Sequence, residues 1–294
     1  MNGAESRRTG LLLVLTAGIS WGVLGIFVRR LMALGLPAAD VAALRALGAA
    51  LILSAFFFLT RRETFRVRIR DLWCMAGCGI LSITLFNVCY FAALRLTTVN
   101  IAVTLLYTSP AFVMVMSVMF FREKLTLRKI AALAAVLLGS ALVGGVFSSS
   151  GPLDGRVLFW GLGSGFCYAL YTIFGRCAQT RGYGSAAITL WTFLFSGAAG
   201  LFIPNWSAAF RTAQTGGGAF WTGLAGMVLI STILPYGAYT AGLKRLTPST
   251  SAITAAVEPL VGTVTGVLVF HEGLTLSAAA GMVLILGAVF LCRD

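Results

Sequence analysis

Ten apolar stretches of roughly twenty residues, parted by short polar breaks, leave this chain few ways to fold. They run over about 10–31, 38–60, 72–94, 99–121, 128–147, 156–177, 184–203, 218–243, 249–270 and 274–292. A helix of that length covers the roughly 30 Å of bilayer hydrocarbon. Composition points the same way: 59% of residues are hydrophobic and 11% charged, where a soluble domain carries about 25% charged. The expected fold is an all-α integral membrane protein of ten transmembrane helices. No soluble domain fits in the breaks. The longest, about 204–217, runs into Gly216-Gly217-Gly218 and reads as a flexible loop. Arg7 and Arg8 precede the first run as in a signal peptide, but Leu11 to Val28 is longer than such a segment and no cleavage site follows; an uncleaved helix is expected.

The net charge of +13 does not call for nucleic acid, because its distribution follows the breaks. Sixteen basic residues fall on one side: Arg7, Arg8, Arg61, Arg62, Arg66, Arg68, Arg70, Arg122, Lys124, Arg128, Lys129, Arg176, Arg181, Lys244, Arg245 and Arg293. Five fall on the other: Arg29, Arg30, Arg95, Arg156 and Arg211. The positive-inside rule then puts both termini in the cytoplasm, as ten spans require. Thr64 to Arg70 alternates apolar residues with arginine and reads as a basic segment lying against anionic lipid. The six cysteines lie mostly in apolar runs without a C-x-x-C spacing, and there is one histidine, so no metal or other cofactor is expected.

The chain repeats itself. P-A-F-V-M-V-M-S-V-M-F-F-R-E-K-L-T-L from Pro110 is echoed by P-L-V-G-T-V-T-G-V-L-V-F-H-E-G-L-T-L from Pro259, with Pro and Glu 13 residues apart in each. At an offset of 147 the first run aligns with the sixth, pairing Trp21 with Tyr168 and Arg29 with Arg176. At 149 the third aligns with the eighth, pairing Ser82 with Ser231 and Tyr90 with Tyr239. Residues 1–150 and 151–294 are thus read as two five-helix repeats. Five spans is an odd number, so the second repeat enters the membrane inverted. The echo loses charge as inversion requires: Arg122 and Lys124 become His271 and Gly273.

Ten spans in a five-plus-five repeat, Trp21-Gly22 in the first helix, Arg45 in the second, and proline with L-x-x-G/E-type endings in the fourth and ninth resemble the EamA family of the drug/metabolite transporter superfamily, and within it the YddG-type bacterial amino-acid exporters. That resemblance implies a bacterial cytoplasmic (inner) membrane protein exporting small metabolites through a cavity between its halves. Small multidrug members of the superfamily carry an essential Glu in their first helix; the first apolar run here has no acidic residue, which weakens any inference of their proton–drug exchange.

Two ionisable groups sit well inside the runs, where charge is expensive. Glu258 lies near mid-span beside Pro259, and its repeat mate is Ser109; it reads as holding a substrate ammonium or a proton, or as a structural carboxyl. Arg45 reads as either a structural cation or a partner for a substrate carboxylate. Trp21, Asn87, Tyr90, Tyr107, Tyr168, Tyr171, Tyr236 and Tyr239 place amphipathic tips at similar depths, suited to a cavity for amphipathic solutes and equally to helix packing. Pro110, Pro235 and Pro259 lie mid-helix as candidate hinges or static bends. Glu123 and Glu272, at helix ends, read as caps or loop bonds. With the resemblance, these residues lead to the expectation of a secondary transporter exporting small amphipathic metabolites, amino acids foremost, by facilitative alternating access. Export of drugs, nucleosides or sugar derivatives with proton coupling is the rival, and a membrane enzyme the rival of another class. The partners expected are a small-molecule substrate and membrane lipid, with no nucleic acid; a monomer is one reading of the oligomeric state.

Overall fold

The computed structural model describes residues 3–202 and 205–292, and Arg293 of the charge grouping above lies outside them. Within the described residues there is no strand. Seven helices are long and apolar enough to cross a membrane: α1 Ala4–Ala33, α2 Ala38–Thr60, α3 Ile69–Leu94, α4 Val99–Phe121, α6 Gly155–Thr180, α8 Trp206–Leu243 and α9 Pro248–Phe270. Three further helices are shorter: α5 Leu127–Val143 has 17 residues, and α7 Ser185–Gly200 and α10 Leu276–Leu291 have 16 each. Sixteen residues rise only about 24 Å. The stretch read as a loop before Gly218 is instead helical from Trp206. Only Gly217 leaves the helix, at φ 47° and ψ −130°, a conformation glycine tolerates, and it kinks α8 there. The basic segment after α2 forms two short 3₁₀ turns, Arg62–Phe65 and Ile69–Asp71, with Phe65 and Val67 packed on the core.

The repeated motif is a pair of matched helix ends. After Phe121 and Phe270, Arg122 and His271 turn left-handed at φ 53° and 54°. The next residue's N–H then returns to the last turn: Glu123 to the Ser117 carbonyl at 3.3 Å, and Glu272 to the Gly266 carbonyl at 3.1 Å. This closure satisfies a carbonyl that the helix end would otherwise orphan. The threonine of each L-T-L starts the next helix. Thr126 and Thr275 accept from the backbone N–H three residues on, and Thr98 and Thr247 do the same at the starts of α4 and α9.

α4 and α9 are each broken at mid-length. α4 is Val99–Leu106 followed by Ser109–Phe121, and α9 is Pro248–Ala255 followed by Glu258–Phe270. Pro110 and Pro259 sit in the first turn after each break, where a missing N–H is tolerated. Pro235 likewise follows a π-helical stretch, Leu229–Ile233, in α8. A matching π stretch in α3, Gly77–Thr84, has no proline and was not foreseen from sequence.

α1 packs on α8 and α9 while α6 packs on α3 and α4; α2 lies on α7, and α5 on α10. Gly22 makes the α1–α9 approach close enough that an added Cβ would stand 2.9 Å from the Glu258 carbonyl oxygen. The ends of the bundle are fixed by contacts. Arg7 donates to the Cys292 carbonyl at 3.2 Å, Arg176 to that of Leu243 at 3.0 Å, and Arg181 pairs with Asp71 at 3.1 Å. Glu123 meets Ser249, at the start of α9. Glu272 follows the other end of that helix, about 34 Å away at 1.5 Å per residue.

Candidate functional site

A cavity of about 380 Å³ enters the bundle from the Glu272 end. Arg29, Ala38 and Phe270 line its mouth, and its walls carry Arg45 from α2, Asn87 and Tyr90 from α3, Tyr107 from the break in α4, and Trp21 from α1. Glu258, from the break in α9, lines it too. The volume is at the small end of the roughly 300–1,000 Å³ usual for ligand sites. Beneath it a tighter pocket of about 40 Å³ shares Trp21, Tyr107 and Glu258 and adds Tyr168, Tyr171, Tyr236, Tyr239 and Ser109. The nine residues read as substrate contacts, and Arg45, therefore line one or other of two adjoining spaces.

The broken helices explain why Glu258 stands there. The turn at Ala256-Val257 ends the first half of α9, and the carboxylate projects from the first turn of the second half. The Tyr168 hydroxyl donates to its Oε2 at 3.0 Å. A layer of aromatic rings lies around it: Trp21 meets Tyr236 edge-on at 5.2 Å between centroids and Tyr239 at 5.5 Å, and Tyr171 meets Tyr236 at 5.0 Å. Two of these tyrosines are tied internally. Tyr171 shares a hydrogen bond with Thr240 and Tyr239 with Thr172, each at 2.7 Å. Asn87 spends a donor on the Ile83 carbonyl one turn back, at 2.8 Å. Phe86, not foreseen, bridges the upper and lower spaces, stacking on Tyr90 at 5.8 Å and tilting on Tyr168 at 5.5 Å.

Arg45 is 7% exposed and takes part in no hydrogen bond or ion pair among the described residues. Asp40 and Asp71 are also buried, at span ends rather than well inside the runs. Asp71 is bound by Tyr183 at 2.7 Å and by Arg181, interlocking the starts of α3 and α7. Asp40 lies in the first turn of α2 with Oδ2 unpartnered. Their positions at span ends gave no signal of burial.

The opposite end is tied together by side chains, and the separate space of about 640 Å³ that opens there, lined by Lys129 and Thr247 among others, does not reach Glu258. The Glu123 carboxylate accepts from Ser117, from Lys129 at 2.6 Å, and from the N–H and hydroxyl of Ser249 at 3.3 and 3.1 Å. Burial opposes its charge, but the bonds from Lys129, Ser117 and Thr247 prevail and hold the carboxyl below its ordinary range. At the mouth, Glu272 has only Arg29 at 2.6 Å among the described residues, in a pair whose side chains are 55% and 49% exposed.

A cavity that enters a membrane-length helical bundle from one end and stops at broken helices near mid-depth defines a multi-pass membrane transporter. The sequence agrees at family level. The EamA-like transporter family matches residues 8–145 and again 155–293, and the chain belongs to that family; it is a transporter rather than an enzyme. An uncharacterized inner membrane transporter, YicL of Salmonella typhimurium, is 24% identical over 292 residues, 97% of this chain and 95% of that one. An uncharacterized transporter of Archaeoglobus fulgidus is 26% identical over 216 residues, 72% of this chain and 75% of its own. The threonine/homoserine exporter RhtA of Salmonella typhimurium is 29% identical over 202 residues, 66% of this chain and 62% of its own. A solved crystal structure superposes with a TM-score of 0.78 over 97% of this chain and 96% of its own at 17% identity, a likeness of fold.

Proposed function

We propose that this protein exports small amphipathic metabolites, amino acids foremost, across a bacterial cytoplasmic membrane by facilitative alternating access. In this reading all ten helices cross the bilayer, the shorter α5, α7 and α10 included. Residues 1–150 and 151–294 are inverted halves, and both termini face the cytoplasm. The observation that carries the reading is the one-sided access to Glu258. The cavity reaches it from the Glu272 end, while Glu123, Lys129 and Ser249 tie the other end together. Rocking the halves about Glu258 would open the second end as the first closes. The paired family match, the antiparallel placement of the two motifs and the exporter RhtA among the relatives support it. The discontinuous α4 and α9 supply the bends, with Pro110, Pro235 and Pro259 as the hinge candidates.

Counterflow in proteoliposomes tests this. Vesicles loaded with unlabelled amino acids should take up labelled amino acid without a pH gradient. Uptake only with a gradient would replace facilitation by proton coupling. No uptake in either case would remove amino acids in favour of drugs, nucleosides or sugar derivatives. A cysteine placed in the 64–70 segment should resist impermeant reagents outside intact cells; ready labelling would reverse the orientation.

A further inference from the structure

Opposite charges face the upper cavity from different helices without neutralising each other. Arg45 projects from α2 and Glu258 from the break in α9; both line the same space of about 380 Å³. The remaining charge lining that space, Arg29, is engaged by Glu272 at the mouth. A guanidinium presents five N–H donors and no acceptor. Withdrawing them from water without a partner is unfavourable, so a 7%-exposed arginine with no protein bond needs cavity water or an anion in front of it. Glu258 accepts from the Tyr168 hydroxyl at 3.0 Å, with the Tyr107 hydroxyl also acting on it, and no cation forms an ion pair with it among the described residues.

We infer that Arg45 and Glu258 read the two charges of one zwitterionic substrate: Arg45 takes its carboxylate and Glu258 its ammonium. This rests on the export reading above and deepens it. The argument is one of exclusion by charge. A cationic drug would satisfy Glu258 but meet Arg45; a sugar phosphate or carboxylic acid would satisfy Arg45 but meet Glu258. An α-amino acid carries both charges on one carbon and leaves its side chain against Trp21, Phe86, Tyr90 and Tyr107. Arg45 thereby becomes a specificity residue rather than a structural cation. Its repeat mate in α7, Thr192, is fully buried and does not line the cavity, so the repeat does not require a charge there.

The test is competition in the counterflow assay, with the full chain and labelled phenylalanine as the probe. Three competitors share one side chain: phenylalanine, phenethylamine without the carboxylate, and N-acetylphenylalanine without the ammonium. For the wild type, phenylalanine should compete about ten- to hundredfold better than either single-charge analogue, the range for one charge-assisted contact. In Arg45→Gln the advantage over phenethylamine should vanish while that over N-acetylphenylalanine persists. In Glu258→Gln the converse should hold. Arg45→Lys should recover part of the first discrimination, since it restores the charge without the planar fork. Equal competition by all three at the wild type overturns the inference and leaves the transport reading standing, and this arm needs no variant to fold. Retained discrimination against phenethylamine in a monodisperse Arg45→Gln protein overturns it as well. Failure of the wild type to carry labelled phenylalanine or any other labelled amino acid overturns both.

Discussion

Ser109–Leu127 and Glu258–Leu276 have nearly the same backbone and almost opposite chemistry. Both start after a broken turn, run as 13-residue helices, close with a left-handed residue and hand over to a threonine-capped helix. In the first copy the mid-depth position is Ser109, and the buried acid is at the end, Glu123, 5% exposed. In the second the acid at mid-depth is Glu258, half-buried and lining the cavity, and the end acid, Glu272, is 49% exposed. Backbone geometry is thus shared by the copies while burial of charge is not. The copy whose end is tied shut seals one face; the other leaves the cavity mouth open.

The largest expected effect comes from removing that division at mid-depth. Glu258→Gln should lower amino-acid counterflow at least tenfold with folding retained, as loss of a charge-assisted contact of about 1.5–3 kcal/mol implies. Glu272→Gln, which alters the other acid of the same copy, should change it less than twofold. Near wild-type transport in Glu258→Gln would make the mid-depth carboxyl structural and erase the functional contrast.

Stability should divide the other way. Glu123→Ala strands Lys129 and two donors of Ser249 at a buried end and should destabilise the protein by about 2–4 kcal/mol. Glu272→Ala breaks an exposed pair and should change stability by less than about 1 kcal/mol. Thermal unfolding in detergent measures both; equal losses would mean that the two ends are equivalent. The pH dependence has a definite sign. Because the folded-state pKa of Glu123 is lowered, its contribution is complete above the unfolded value of about 4.3. It is lost as pH falls through the folded value. The melting temperature should therefore lose this contribution below about pH 4.3. Glu123→Gln should flatten that decline, and Glu272→Gln should leave the Glu123 part of it in place.

Periodicity and spacing carry backbone information, which is why the helices and the matched motif could be read from the chain. Proline suits the first turn after each break and the threonine of L-T-L caps the next helix, whereas the left-handed position between them is Arg122 in one copy and His271 in the other. The side chains at mid-depth were also legible as a set, because polar tips within apolar runs stand out. What failed depends on contacts between distant segments. Trp206 to Gly216 is helical although its glycine-rich end suggests a loop; Ala209 and Phe220 pack with Leu31 and Val41, and tertiary burial overrides local propensity. The interlock of Asp71 with Tyr183 joins residues 112 apart. The π stretch in α3 lacks the proline that marks its counterpart. That Glu123 is buried and Glu272 exposed follows from which end is closed, and neither motif records that.

The smallest effect offers the sharpest check on what the copies share. Arg122 and His271 are exposed, their side chains form no hydrogen bond among the described residues, and both hold φ near +53°. A side chain there crowds its own backbone, whereas glycine does not. Glycine also loosens the unfolded chain, which takes back part of the gain. Arg122→Gly and His271→Gly should therefore each stabilise by about 0.5 kcal/mol, and by the same amount. Equality is the informative part. The acids one residue later differ in burial and partners, so any effect passing through side-chain surroundings would separate the two variants. An effect of the turn alone cannot, because the two turns are the same. Unequal shifts in melting temperature would show that the closed end strains Arg122 beyond what its backbone requires. The likeness of the two copies would then end at the helix, before the turn.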